Sequence, residues 1–177
     1  MKTLNILLAG FGGQGVLFAG KAIAYAGLTE DREISWLPSY GPEMRGGTCN
    51  CSVVISDQPI GSPLVINPDV LVAMNLPSLD KFENAVVEGG LIITDSTIVN
   101  REPVRTDVRS MCVPASQLAE QNGLKGLANI ILVGKLLAAT GFCSQEAIEK
   151  GIKKCVSAKH ADLLEKNLQA ARLGMKV

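Results

Sequence analysis

Six residues near the start of the chain, Gly10-Phe11-Gly12-Gly13-Gln14-Gly15, carry the pattern G-x-G-x-x-G between an apolar run at 4–9 and a small-residue segment at 16–27. Glycines at that spacing permit a tight strand-to-helix turn, close approach of the backbone to a bound group, and close helix–strand packing. The N–H groups that open such a helix can hold an anion. The competing reading of the same residues is a tight turn without a ligand. A second cluster reads Ser39-Tyr40-Gly41-Pro42-Glu43-Met44-Arg45-Gly46-Gly47. Arg45, beside Gly46 and Gly47, joins a bidentate cation to accessible backbone N–H groups, which suits a phosphate or carboxylate of a ligand or a partner protein. Glu43 supplies the alternative, an internal ion pair that stiffens the loop. Asn75 and Asp95 each follow an apolar run. They therefore join the two loops at the carboxyl ends of strands, where open α/β sheets gather ligands.

Other chemistries find little support. A dinucleotide site needs an acid at the tip of the second strand, about 20 residues beyond the glycines, to take the ribose hydroxyls. Trp36-Leu37-Pro38 occupies that place, and Glu30, Asp31 and Glu33 precede the strand instead. The single histidine, His160, stands in a helical segment with no Ser or Cys motif around it, so it makes a poor general base. The five cysteines (49, 51, 112, 143, 155) contain no C-x-x-C, which argues against a disulfide framework and against a self-contained iron–sulfur or zinc site. Cys49 and Cys51, two apart in a strand, share one face; packing is weighed there against a paired-thiol ligand role.

The elements that must hold these loops follow from composition and periodicity. At 177 residues the chain fits one domain, 1–177, large enough to bury about 70% of its unfolded surface. Residues are 47% hydrophobic but only 4% aromatic, so the core is built from Val, Ile, Leu and Ala, the mixture of buried parallel strands. Seventeen basic and 17 acidic residues cancel, which removes the broad positive field that nucleic acids or acidic membranes require. No signal-peptide pattern or run of transmembrane length is seen, and the expected location is the cytoplasm. Strands are expected at 4–9, 34–37, 48–56, 70–74, 91–94 and 108–113. No helix separates 34–37 from 48–56, so the third strand should run antiparallel in a mixed sheet. Helices are expected at 16–27, from 77 to about 87, from Pro114, at 127–140, at 144–157 behind a Ser N-cap, and at 160–173. The fold class is thus α/β: a Rossmann-like three-layer domain, mostly parallel, with a helical C-terminal third.

The two glycine-rich loops, together with Cys51-Ser52-Val53-Val54-Ile55-Ser56, Asn67-Pro68-Asp69, Glu88-Gly89-Gly90 before a strand ending in Asp95, and Asn129 in the late helix, resemble the gamma subunit of 2-oxoacid:ferredoxin oxidoreductases. The resemblance spans most of residues 4–135. It implies a subunit that completes an assembly rather than one that carries its chemistry. In that family thiamine diphosphate and its magnesium (Mg2+) lie between the alpha and beta subunits, and iron–sulfur clusters sit on other chains, including a ferredoxin-like delta subunit or ferredoxin. The complex converts a 2-oxoacid and coenzyme A into acyl-CoA and carbon dioxide and reduces ferredoxin. By this resemblance the present chain alone is inactive, and Gly10, Gly12, Gly13, Gln14, Gly15, Tyr40, Glu43, Arg45, Gly46, Gly47, Asn75 and Asp95 form loops that face coenzyme A or partner subunits. Trp36-Leu37-Pro38-Ser39-Tyr40 is more similar to branched-chain and 2-oxoglutarate members than to pyruvate ones. The alternative from the residues themselves is a free-standing Rossmann-type nucleotide-binding module.

Overall fold

The computed structural model describes residues 3–40, 48–157 and 161–177, with the backbone alone at Tyr40. Its centre is a six-stranded sheet: β1 (Thr3–Phe11), β2 (Glu33–Tyr40), β3 (Thr48–Ser56), β4 (Val70–Ala73), β5 (Leu91–Asp95) and β6 (Arg109–Val113), ordered β2-β3-β1-β4-β5-β6. Strands β1, β4, β5 and β6 are mutually parallel. Strand β3 runs antiparallel to both β1 and β2, as the short connection after β2 requires. In β1 and β4 nearly every side chain is buried, because both faces of a central strand are covered; hence their continuous rather than alternating apolar runs.

One sequence expectation shifts at the sheet. Strand β2 does not stop at Pro38 but continues to Tyr40, with Pro38 opposite Cys51. An edge strand tolerates proline because it has ladder bonds to lose on one side only. In β3 the serines are buried: Ser52 Oγ accepts from Val65 N at 3.3 Å and Ser56 Oγ bonds Thr3 Oγ1 at 2.9 Å.

The layers are unequal. One face of the sheet carries α1 (Val16–Leu28), α3 (Ala115–Gln121) and α4 (Ala128–Thr140), which share its larger core. Helices α5 (Gln145–Cys155) and α6 (Ala161–Lys176) stack on α1 and α4 rather than on strands. Glycines make that second layer possible: a Cβ at Gly151 would strike Ala22 O and Ala26 N of α1, and one at Gly174 would strike Ile131 O of α4. Ser144 caps α5, accepting Ala147 N at 3.1 Å, and Gly141 ends α4 at φ 60°. The opposite face is covered by α2 (Leu76–Phe82), a short 3-10 turn and the loops at 57–69 and 96–108, around a smaller core. No helix among the described residues is long and apolar enough to cross a membrane.

Candidate functional site

The carboxyl ends of β1, β4 and β5 open into a cleft of ≈ 330 Å³. Its walls come from three places in the chain: Gly13 and Gln14 of the first turn, Asp95 and Ser116 at the β5 end, and the segment from Glu120 through Lys125, Gly126 and Ala128 to Asn129 and Leu132. The turn is shaped by Gly13 at φ 98° and Gly15 at φ 75°, conformations that L side chains rarely adopt. At Gly15 a Cβ would also run into the Asn129 side chain, with Cγ 2.9 Å away. Glycine is needed here for both reasons.

Several expected ligand-facing side chains are turned into the scaffold. Gln14 folds back over Gly10: its Oε1 accepts Phe11 N at 2.6 Å and Asn75 Nδ2 at 3.0 Å, while its Nε2 donates to Met74 O at 3.0 Å. Asn75, 1% exposed, caps α2 by accepting Ser78 N at 2.9 Å. One carboxamide therefore fixes the first turn to the end of β4 and the start of α2. Asp95 is also buried. Its carboxylate accepts Ser116 N at 3.2 Å, Ser116 Oγ at 2.5 Å and Thr97 N at 3.1 Å, which caps α3 from the neighbouring strand. The structure thus brings Gly13, Gln14 and Asp95 into one cleft and ties Asn75 to it through Gln14. Gly10 lies inside β1 and Gly12 in the turn, neither on the cleft wall. Glu43, Arg45, Gly46 and Gly47, and the side chain of Tyr40, lie outside the described residues, as does His160. The strands that flank that loop, β2 and β3, leave and enter the sheet at the same end as the cleft.

What remains available to a ligand is backbone, two exposed side chains of opposite charge, Lys125 and Glu120, and one buried acceptor. Gly15 and Leu127 precede α1 and α4 as their N-caps, and both helices start without a side-chain cap and without an acidic residue in the first turn. Their first N–H groups carry the positive end of each helix dipole. Lys125 stands exposed on the wall before α4. Asn129 donates through Nδ2 to Gly15 O at 3.1 Å, but its buried Oδ1 has no partner. An orphan acceptor costs about 1–3 kcal/mol, so this atom calls for a donor from whatever fills the cleft. Sequence reasoning did not place Ser116, Glu120 or Lys125 here, because they lie about a hundred residues from the glycines. The signal that existed was an apolar helix at 128–140 with no Ser, Thr, Asp or Asn in front of it.

The thiols are built for packing. Burial pushes Cys51 up to about 12, with a hydrogen bond from Trp36 opposing it, and burial likewise raises Cys49. Cys143 is pushed up to about 12 and Cys155 to about 11, again chiefly by burial. These four pack in or against the larger core. Among the described residues no group of three or more His, Cys, Asp or Glu could hold a metal ion. At pH 8 a disulfide reagent should therefore label Cys112, the exposed thiol, quickly, the half-buried Cys155 more slowly, and Cys49, Cys51 and Cys143 only as the fold opens. Rapid labelling of all five in the native chain would contradict the packing described.

Residues 5–177 match the family model described as pyruvate ferredoxin/flavodoxin oxidoreductase. The chain is 43% identical, over 97% of its length, to the ketoisovalerate oxidoreductase subunit VorA of Methanothermobacter thermautotrophicus, of which it spans 35%. It is 39% identical, over 98% of its length, to the 2-oxoglutarate synthase subunit KorC of Methanocaldococcus jannaschii, of which it spans 92%. In structure it is similar to the gamma subunit of a keto/oxoacid ferredoxin oxidoreductase from Geobacter sulfurreducens, with a TM-score of 0.87, 29% identity, and 99% of this chain and 96% of that one covered. The chain thus spans nearly the whole of one relative and about a third of another.

Proposed function

The chain belongs to the pyruvate ferredoxin/flavodoxin oxidoreductase family, and from that membership we propose that it is the gamma-type subunit of a 2-oxoacid:ferredoxin oxidoreductase complex. In this reading the assembly converts a 2-oxoacid and coenzyme A to an acyl-CoA and carbon dioxide and passes two electrons to ferredoxin. Alpha and beta subunits hold thiamine diphosphate and Mg2+, and a ferredoxin-like delta subunit or ferredoxin carries the iron–sulfur clusters. The packing of four of the five cysteines in or against the core supports that division.

The observation that carries the reading is the cleft beside the first turn, where the uncapped N-terminus of α4, Lys125 and the unmet Asn129 Oδ1 come together on one wall. We read that wall as one that binds and orients a ligand. A phosphate of coenzyme A fits the α4 N-terminus and Lys125, and an N–H or O–H of the same molecule fits Asn129 Oδ1. Asp95 is engaged by Ser116 and Thr97, which leaves Glu120 as the exposed carboxylate of the wall. The nucleotide-module alternative fares worse. Strand β3 lies between β1 and β2, so the tip of β2 is displaced from the place beside the first turn where a dinucleotide ribose is read.

Isolation of the chain from its native cell with its bound partners, then assay with pyruvate, 2-oxoglutarate and 2-oxoisovalerate, tests the proposal. Coenzyme A-dependent ferredoxin reduction with one of them is expected, with 2-oxoisovalerate or 2-oxoglutarate favoured by the segment 36–40. A purified chain without oxidoreductase partners, or partners inert towards all three acids, would overturn it. Arg45→Ala should leave the isolated chain's stability within about 0.5 kcal/mol. In the complex it should weaken subunit association or raise the coenzyme A requirement; unchanged assembly and kinetics would reduce Arg45 to an ion-pair partner of Glu43.

A further inference from the structure

The two edges of the sheet are built differently. Strand β6 is five residues long and presents Arg109, Ser110 and Cys112 to solvent, the polar and charged character that discourages pairing. Strand β2 is eight residues long, and among the described residues no strand pairs with its outer side. It exposes two adjacent large apolar side chains, Trp36 and Leu37, each 36% exposed. Because they are neighbours in a strand they point to opposite faces. Trp36 enters a groove of ≈ 250 Å³ with Tyr25, Leu28 and Ile34 on the α1 side, and Leu37 enters one of ≈ 330 Å³ with Leu64, Ile66 and Phe82 on the α2 side.

Trp36 is held in place rather than loose. Its indole lies over Gly20, where a Cβ would come within 3.1 Å of Nε1, and it hydrogen-bonds Cys51. A large aromatic ring fixed from behind and open in front loses little entropy when covered. The groove in front of it is rimmed by cations: Lys21 Nζ and Lys154 Nζ stand 5.7 and 5.6 Å from the Tyr25 ring centroid, and Lys81 stands on the wall of the other groove.

We infer that the β2 edge receives an extended, acidic and apolar segment of a partner subunit, which adds a strand beside Glu33–Leu37 and fills both grooves with alternate side chains. Main-chain hydrogen bonds give such a strand its register, and pockets on the two faces select its side chains. Pro38, with no N–H to offer, limits the pairing to the residues before it. A second copy of this chain fits less well. Two β2 strands paired about a two-fold axis would place Lys21 and Lys154 of both copies along one side of the joined sheet, with like charges facing and the only carboxylate of the strand, Glu33, on the other face.

The inference rests on the subunit reading given above, and hydrogen–deuterium exchange on the chain, free and within its purified complex, separates the two. The β2 amides are expected to exchange at least about tenfold more slowly in the complex, and Lys21→Glu/Lys154→Glu is expected to weaken assembly about tenfold, more so at low salt, with the free chain's Tm nearly unchanged. A complex that forms while β2 exchanges as in the free chain overturns the inference and leaves the subunit reading standing. A chain that forms no complex overturns both. A free chain that is already a dimer with β2 protected overturns it in favour of the second copy, and a charge-reversed variant that assembles as tightly as the parent overturns the acidic partner.

Discussion

Gly15→Ala lowers the stability of the chain by about 3 kcal/mol or more, although it adds a single methyl group. Two costs coincide at this position. A left-handed backbone costs an L residue about 1–2 kcal/mol, and Gly15 sits at φ 75°. The new Cβ also enters the space of the Asn129 amide, whose Cγ is 2.9 Å from it, and overpacking of a filled site costs about 1–3 kcal/mol. Asn129 is short and 5% exposed, so it cannot swing away without losing its bond to Gly15 O. At about 2–4 °C per kcal/mol the Tm falls by roughly 6–12 °C. Gly89→Ala is the control: φ is 74° but nothing lies within 4 Å of its Cβ, so only the backbone cost, about 1–2 kcal/mol, applies. Adding Asn129→Ala to Gly15→Ala should recover more than about 1 kcal/mol relative to the sum of the single changes. Equal melting temperatures for the two glycine variants would show that the turn does not pack on α4 as described.

Lys125→Glu acts on function instead. In the complex it should raise the KM for coenzyme A about thirtyfold while kcat stays within about twofold. Replacing a cation near a bound phosphate with an anion changes the interaction by about 2 kcal/mol at the effective dielectric of a protein surface. The split between the two constants follows if Lys125 acts only as a binding group of the wall, since uniform binding is then lost and the chemical step is not. Lys125→Ala should give a smaller effect of the same kind. The melting temperature should not move, since Lys125 is exposed. A fall in kcat with unchanged KM would place coenzyme A elsewhere.

Much of the scaffold was legible because local rules decided it. The missing crossover helix gave β3 its antiparallel direction, and Ser144 marked the start of α5. The course of β2 through Pro38 was hidden because the rule against proline in strands relaxes at an edge, and edge position depends on the whole sheet. The stacking of α5 and α6 on other helices was hidden for a similar reason: Gly134, Gly151 and Gly174 look like weak helix positions until a neighbouring backbone is known to fill the space. At the site the residue types were found but not their directions. Gln14, Asn75 and Asp95 have the chemistry of ligands, yet each satisfies a backbone group that the turn or a helix start leaves open, and no spacing in the sequence distinguishes those duties.

Reconstitution by omission tests the central claim most directly. The proposed alpha, beta and ferredoxin-like subunits are purified without this chain and assayed for coenzyme A-dependent ferredoxin reduction by the 2-oxoacid they accept, then assayed again with the chain restored. The account predicts no turnover from the chain by itself, little from the other subunits alone, and full activity with a lowered KM for coenzyme A once the chain is added. Turnover of a 2-oxoacid by this chain alone with a chemical electron acceptor, or full activity of the other subunits in its absence, would contradict it.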